Sequence, residues 1–182
     1  MLPIIILLPL VLGTTLVSWL KQFSRGVTAL AAIGISLSSL VLLLLHAPDV
    51  LNGQVIQQTW RWLPELGLNL SFRLDALGLL FALLISGIGT LIFIYAYYYL
   101  GPKNSLSKLY MLLMLFMAAM LGIALSNNLI LLLTFWELTS ISSFLLVGYW
   151  SNYDAAQRGS RMALTITGMG GLGLLGEIGR AH

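Results

Sequence analysis

Five long apolar runs alternate with short polar segments along this chain. They cover residues 2–20, 27–45, 76–100, 109–125 and 129–150. A membrane-spanning helix needs about 20 mainly apolar residues, because each adds ~1.5 Å across a hydrocarbon core ~30 Å thick. All five runs meet that need, the fourth most narrowly. A sixth run, 162–175, stops at Gly176 and Glu177 and is too short to cross alone. The first run has no Lys or Arg ahead of its apolar core and no Ala-x-Ala-like exit. It therefore reads as a retained helix rather than a cleaved leader.

Only one connection is long, 46–75. Its second half alternates Leu68, Leu70, Phe72 and Leu74 with Asn69, Ser71, Arg73 and Asp75. A period of two predicts a strand. The stretch 54–62, rich in Val, Ile, Thr and Trp, can pair with it across a turn that contains Pro64 and Gly67. Such a hairpin belongs outside the bilayer, where its edge groups can meet water or a partner chain. The predicted fold is an all-α polytopic transmembrane bundle, with five full spans, an incomplete sixth and a short extracytoplasmic β-hairpin. It divides into two N-terminal helices (1–45), the hairpin loop (46–75), helices three to six (76–175) and an atypical tail (176–182).

Composition removes the soluble alternatives. Of the 182 residues, 59% are hydrophobic and 8% charged, and the mean hydropathy is +0.96. Soluble domains carry about 25% charged residues, and a fold of this size could not hide so much apolar surface from water. The net charge of +3 comes from short basic clusters between the runs, a loop pattern and not a nucleic-acid footprint. Lys21, Arg25, Lys103, Lys108, Arg158 and Arg161 fall on one side. Arg61, Arg73 and Arg180 fall on the other. The excess places the first group in the cytoplasm and the N-terminus and hairpin outside. Trp19, Tyr97, Tyr98, Tyr99, Tyr149 and Trp150 stand where an interfacial aromatic belt is expected.

The chain contains no cysteine, so disulfides, thiolate metal sites and a cysteine nucleophile are excluded. His46, in a predicted loop, and His182, the last residue, are too far apart to form a metal-ligand pair. Residues 168–173 satisfy G-x-G-x-x-G, but no βαβ unit with a following acidic residue surrounds them. Ala163, Thr167 and Gly171 instead recur every fourth residue, a small-residue face for close helix packing. No metal and no cofactor is expected.

One charged residue lies between Lys108 and Asp154. It is Glu137, the ninth residue of the fifth run and ~12 Å from its start. A carboxylate at that depth costs at least a few kcal/mol unless it is protonated, hydrated or paired. Thr134 and Ser140 stand three residues either side of it, and Asn127 lies one heptad before Thr134. Asn127, Thr134, Glu137 and Ser140 thus form a candidate polar stripe, with Glu137 as a proton relay and the hydroxyls in support. Arg73 and Asp75, at the mouth of the third run, are a candidate pair at an ion path or a structural pair. A relay needs a partner base, and no Lys, Arg or His lies within the five runs.

Three blocks resemble the antiporter-like membrane subunits. They are FRLDALGLL at 72–80, LTFWELTSISSFLLVGYW at 133–150 and ALTITGMGGL at 163–172. This family joins chain 5 of respiratory NADH dehydrogenase (complex I) to the large A-type component of Mrp-type multisubunit cation/proton antiporters. The third block is closer to that antiporter component. The resemblance implies transport of H⁺ against Na⁺ or another monovalent cation in a bacterial inner membrane, without covalent chemistry or cofactor. It implies other antiporter or complex I membrane subunits as partners. Glu137 would correspond to a fifth-helix glutamate that works with a lysine on a later broken helix, and the hairpin to one that touches a neighbouring subunit. Family members have many more helices, so the tail 176–182 reads as the end of a truncated or frame-shifted frame. The alternatives are an inactive remnant and a proton-pumping subunit of the chain 5 type.

Overall fold

The computed structural model describes residues 2–19, 24–63, 68–101, 106–150 and 154–180. The first helical run comprises α1 (Leu2–Leu7), a π-helical stretch (Leu8–Leu12) and α2 (Gly13–Trp19). After it come α3 (Arg25–Leu51), the strands β1 (Ile56–Leu63) and β2 (Leu68–Leu74), α4 (Ala76–Tyr99) and α5 (Leu106–Leu125). The described chain ends with α6 (Leu129–Val147), a 3₁₀ turn (Gly148–Trp150) and α7 (Asp154–Arg180).

Among the described residues, four helices are long and apolar enough to cross a membrane: α3, α4, α5 and α6. The expected first span, 2–20, is not one continuous α-helix. Pro9, buried in the π-helical stretch, has no N–H to donate and its ring crowds the carbonyl four residues back. Hydropathy counts apolar residues and does not register that break. The sixth run is longer than expected. Helix α7 covers 27 residues, with a polar beginning at Asp154, Gln157, Arg158 and Arg161, and it continues past Gly176.

Helix α3 runs six residues beyond its expected end at 45 and takes in His46, whose Nδ1 lies 2.7 Å from Leu42 O. It stops where Gly53 adopts φ +86° and donates its N–H to Val50 O at 3.0 Å. That left-handed turn suits glycine because it has no Cβ to clash. Side-chain caps start α4 and α6. Asp75 Oδ1 accepts from Gly78 N at 2.8 Å to open α4, and Asn128 Oδ1 accepts from Leu131 N at 2.7 Å to open α6.

The helices are inverted relative to a soluble bundle. On α3 the buried positions include Ala29, Ala32, Ser36 and Ser39, and on α4 they include Gly78, Ala82, Ser86 and Thr90. Leu30, Leu45, Leu80, Ile88 and Leu91 are exposed. Small and hydroxyl residues inside with large aliphatics outside is the membrane arrangement, since lipid solvates Leu as well as a protein core does. Ser36 Oγ and Thr90 Oγ1 bond at 2.7 Å between α3 and α4. Helix α5 is the central element and touches α1, α2, α3, α4 and α6. Its fully buried Tyr110 donates to Phe93 O at 2.8 Å.

The hairpin forms as the alternation predicts. β1 and β2 are antiparallel with Ile56 opposite Leu74, Gln58 opposite Phe72 and Trp60 opposite Leu70. Phe72 and Leu74 are buried and Arg73 is exposed. The turn at 64–67 lies outside the described residues. The outer edge of β2 meets this chain's own α5–α6 turn. Asn127 N donates to Ser71 O at 2.9 Å, and Asn128 Nδ2 donates to Asn69 O at 2.6 Å. On the other strand, Gln58 Oε1 accepts from Leu2 N at 2.9 Å, which ties the hairpin to α1.

This connectivity sorts the charges. Arg25, Lys108, Arg158 and Arg161 belong to helix starts at one end of the bundle, together with Trp19 and Tyr97–Tyr99. Arg73 and Asp75 belong to the hairpin end. Lys21, Lys103 and His182 lie outside the described residues, and the side chains of Arg61 and Arg180 are likewise not described.

Candidate functional site

Helix α6 packs against α5 on one side and α7 on the other. The α5 contact is close because Gly122 has no side chain. A Cβ there would fall on the Phe135 ring, at Cγ, Cδ1 and Cε1. Phe135 also meets Phe72 of the hairpin at 6.4 Å between ring centroids. With Phe135 committed to α5, Trp136 and Glu137 turn toward α7. Trp136 Nε1 donates to Thr167 O at 3.5 Å.

Glu137 is half-buried. Its Oε1 intrudes on the space a Cβ of Gly171 would need, and its Cδ is 3.1 Å from that Cβ position. The carboxyl therefore rests on bare α7 backbone. Among the described residues, no hydrogen bond or ion pair reaches it. Gly171 is buried, and Ala163 and Thr167 are half-buried on the same face. Thr167 Oγ1 returns to Ala163 O at 2.7 Å.

The other members of the stripe separate. Asn127 precedes the helix, and its Nδ2 donates to Ser71 Oγ of the hairpin at 3.2 Å. A heptad count carries it onto the α6 face only if the helix extends that far back, and α6 starts at Leu129 after its Asn128 cap. Thr134 is exposed and donates to Ile130 O at 2.8 Å, while Ser140 is buried and donates to Trp136 O at 3.2 Å. Three residues turn a helix by about 300°. Thr134, Glu137 and Ser140 therefore spiral from the exposed to the buried side, and each hydroxyl is satisfied within its own helix.

Two hollows lie near the two ends of α6, and Glu137 lines neither. One of about 370 Å³ lies at the hairpin end and is lined by Arg73, Asp75, Ser126, Asn127, Asn128, Leu129 and Leu132. The other, of about 510 Å³, lies at the opposite end, where Phe144, Leu145 and Gly148 meet Lys108, Ser160 and Arg161. Along the helix axis Leu132 is ~7.5 Å and Phe144 ~10 Å from Glu137. Sequence reasoning missed the hollows, because spacing along one helix cannot tell which turn of a neighbour it faces. It read Gly171 as packing alone.

Arg73 Nη2 and Asp75 Oδ2 are 3.2 Å apart, with both side chains well exposed. An exposed pair contributes at most about 1 kcal/mol. The α4 cap made by Asp75 is the stronger tie. Asp75→Ala should lower stability by roughly 1 kcal/mol and Arg73→Ala by less, measured by thermal unfolding in detergent. Equal losses would show that the ion pair matters more than the cap.

Comparison with known proteins identifies what the chain is similar to. Residues 60–110 match the family described as NADH-ubiquinone oxidoreductase (complex I), chain 5 N-terminus. Residues 126–178, with Glu137 and Gly171 inside them, match NADH:quinone oxidoreductase/Mrp antiporter, TM. The chain is 40% identical over 178 residues to the A1 component of a Na⁺/H⁺ antiporter of Staphylococcus aureus, covering 98% of this chain and 22% of that protein. It is 42% identical over 174 residues to the A/B component of a probable K⁺/H⁺ antiporter of Rhizobium meliloti, covering 96% and 17%. It therefore spans about a fifth of the length of these relatives. A chain of the Mrp complex from a Dietzia species superposes with a TM-score of 0.82 at 25% identity, covering 96% of this chain and 18% of that one. A chain of an archaeal membrane-bound sulfane sulfur reductase shares the fold, with a TM-score of 0.82 at 23% identity over 97% of this chain and 27% of that one.

Proposed function

Because the chain belongs to the antiporter-like family that joins complex I chain 5 to the A-type component of Mrp antiporters, we propose that it is part of a monovalent cation/proton antiporter and passes protons through Glu137. The observation that carries this reading is the Glu137 carboxyl held against α7 partway along α6, without a fixed ionic partner among the described residues, on a helix with a hollow near each end. A carboxyl with a permanent partner stays ionised. One without a partner responds to its surroundings, since an approaching cation favours the charged form and desolvation the protonated form. Each transported cation that comes and goes nearby then releases and recovers one proton. Arg73, Asp75 and Asn127 line the hollow at the hairpin end and Lys108 and Arg161 the one at the other end, so each end offers polar groups for proton or ion access. The chain is a transporter part rather than an enzyme.

The reading includes a placement. The Arg25, Lys108, Arg158 and Arg161 end faces the cytoplasm of a bacterial cell, and the hairpin faces outward beside another membrane subunit. The base that receives the proton from Glu137 comes from outside the described residues. Na⁺ is the proposed principal cation, on the strength of the Staphylococcus relative's name, and K⁺ is the variant suggested by the Rhizobium one.

The test is to drive the assembled transporter with a cation alone. In inside-out vesicles without an electron donor, a step of Na⁺ or K⁺ should move protons the opposite way, as reported by a pH-sensitive dye. No response to either cation, combined with proton uptake on NADH oxidation, would replace the antiporter with a chain 5-type redox pump.

A further inference from the structure

Helix α7 is rich in glycine, yet its glycines differ in what surrounds them. A Cβ at Gly168, Gly173 or Gly176 would meet nothing within 4 Å, and at Gly170 it would touch only Trp136 Cζ2 at 3.8 Å. At Gly171 it would overlap Glu137 Oε1 and approach Trp136 Cδ1 to 3.7 Å. The indole is itself fixed one turn away, by its bond to Thr167 O. A side chain at 171 would therefore meet both the Glu137 carboxyl and the edge of Trp136.

We infer that Gly171 is the positioning residue for the Glu137 carboxyl, its missing side chain allowing Oε1 to dock on α7 instead of swinging toward lipid. The inference rests on the reading of Glu137 as the proton carrier, and it adds which atom is held and by what. It also separates Gly171 from the rest of the glycine cluster, whose open surroundings make no such demand. A methyl group at 171 displaces the carboxyl and changes the solvation in which it gains and loses its proton. Shortening the acid by one methylene, as in Glu137→Asp, withdraws it from the occupied space.

Two readouts test the inference on the assembled transporter. The first is labelling of Glu137 by a membrane-soluble carbodiimide, which adds to the protonated carboxyl to form an O-acylisourea and is followed by mass spectrometry across pH. Gly171→Ala should shift the pH dependence of labelling, and Gly173→Ala should leave it unchanged. The second is cation-driven proton movement. Gly171→Ala should slow it about tenfold, and the double variant Gly171→Ala with Glu137→Asp should recover more than either single change. Labelling and transport profiles for Gly171→Ala that coincide with wild type, in protein that assembles normally, would overturn the inference. If Glu137→Gln leaves exchange intact, the relay reading fails on its own, and the labelling profile of Gly171→Ala still decides whether Gly171 positions the carboxyl.

Discussion

Glu137→Gln is expected to lower cation-coupled proton movement by at least about tenfold, equivalent to ~1.4 kcal/mol at the rate-limiting step, with assembly unchanged. Gln has the size and shape of the acid and fits the same seat on Gly171, so the change removes the exchangeable proton and little else. It also removes the cost of holding an ionisable group in the membrane, so stability should stay level or rise. A purely structural glutamate predicts the reverse: transport kept, with any loss seen in folding. The initial rate of proton movement in vesicles, normalised to assembled complex on a native gel, separates the two. Glu137→Asp keeps the proton but draws it back from α7, and it should fall between wild type and Glu137→Gln.

The second large effect concerns the seam that aims Glu137. Gly122→Ala places a methyl group on the Phe135 ring, in an interface already closed by the contact of Phe135 with Phe72. Overpacking of this kind costs about 1–3 kcal/mol, and Gly122→Leu should prevent assembly. The loss should appear as a lower unfolding temperature in detergent. It should be partly recovered by adding Phe135→Leu, which removes the ring edge from the crowded space. Normal stability of Gly122→Ala would mean that α5 and α6 lie further apart than described. The same seam links site and fold: Phe135 fixes the rotation of α6, and the next two residues then face α7.

How much of this was legible in the sequence depends on the range of each interaction. The strand pairing followed from alternation at Leu70, Phe72 and Leu74, because a buried sheet face needs a period of two. Glu137 stood out because a lone acid in an apolar run is costly wherever the helix sits. The Ala163, Thr167 and Gly171 face was legible as a face, but its occupant was not. Spacing gives the direction of a side chain and not the neighbour it meets. Asn127 was misplaced for a related reason: whether a residue belongs to a helix depends on the cap, and Asn128 takes that role while Asn127 bonds to Ser71. The break at Pro9 and the extension of α3 through His46 and Pro48 are local backbone matters that hydropathy does not see.

The central claim is that the Glu137 side chain sits inside the membrane and changes protonation there. Infrared difference spectra of the assembled transporter, recorded across pH in lipid, report on it directly through the C=O stretch of a protonated carboxyl. The account predicts a pH-dependent carboxylic-acid band that responds to addition of the transported cation and disappears in Glu137→Gln. Identical spectra from the wild type and Glu137→Gln would contradict it.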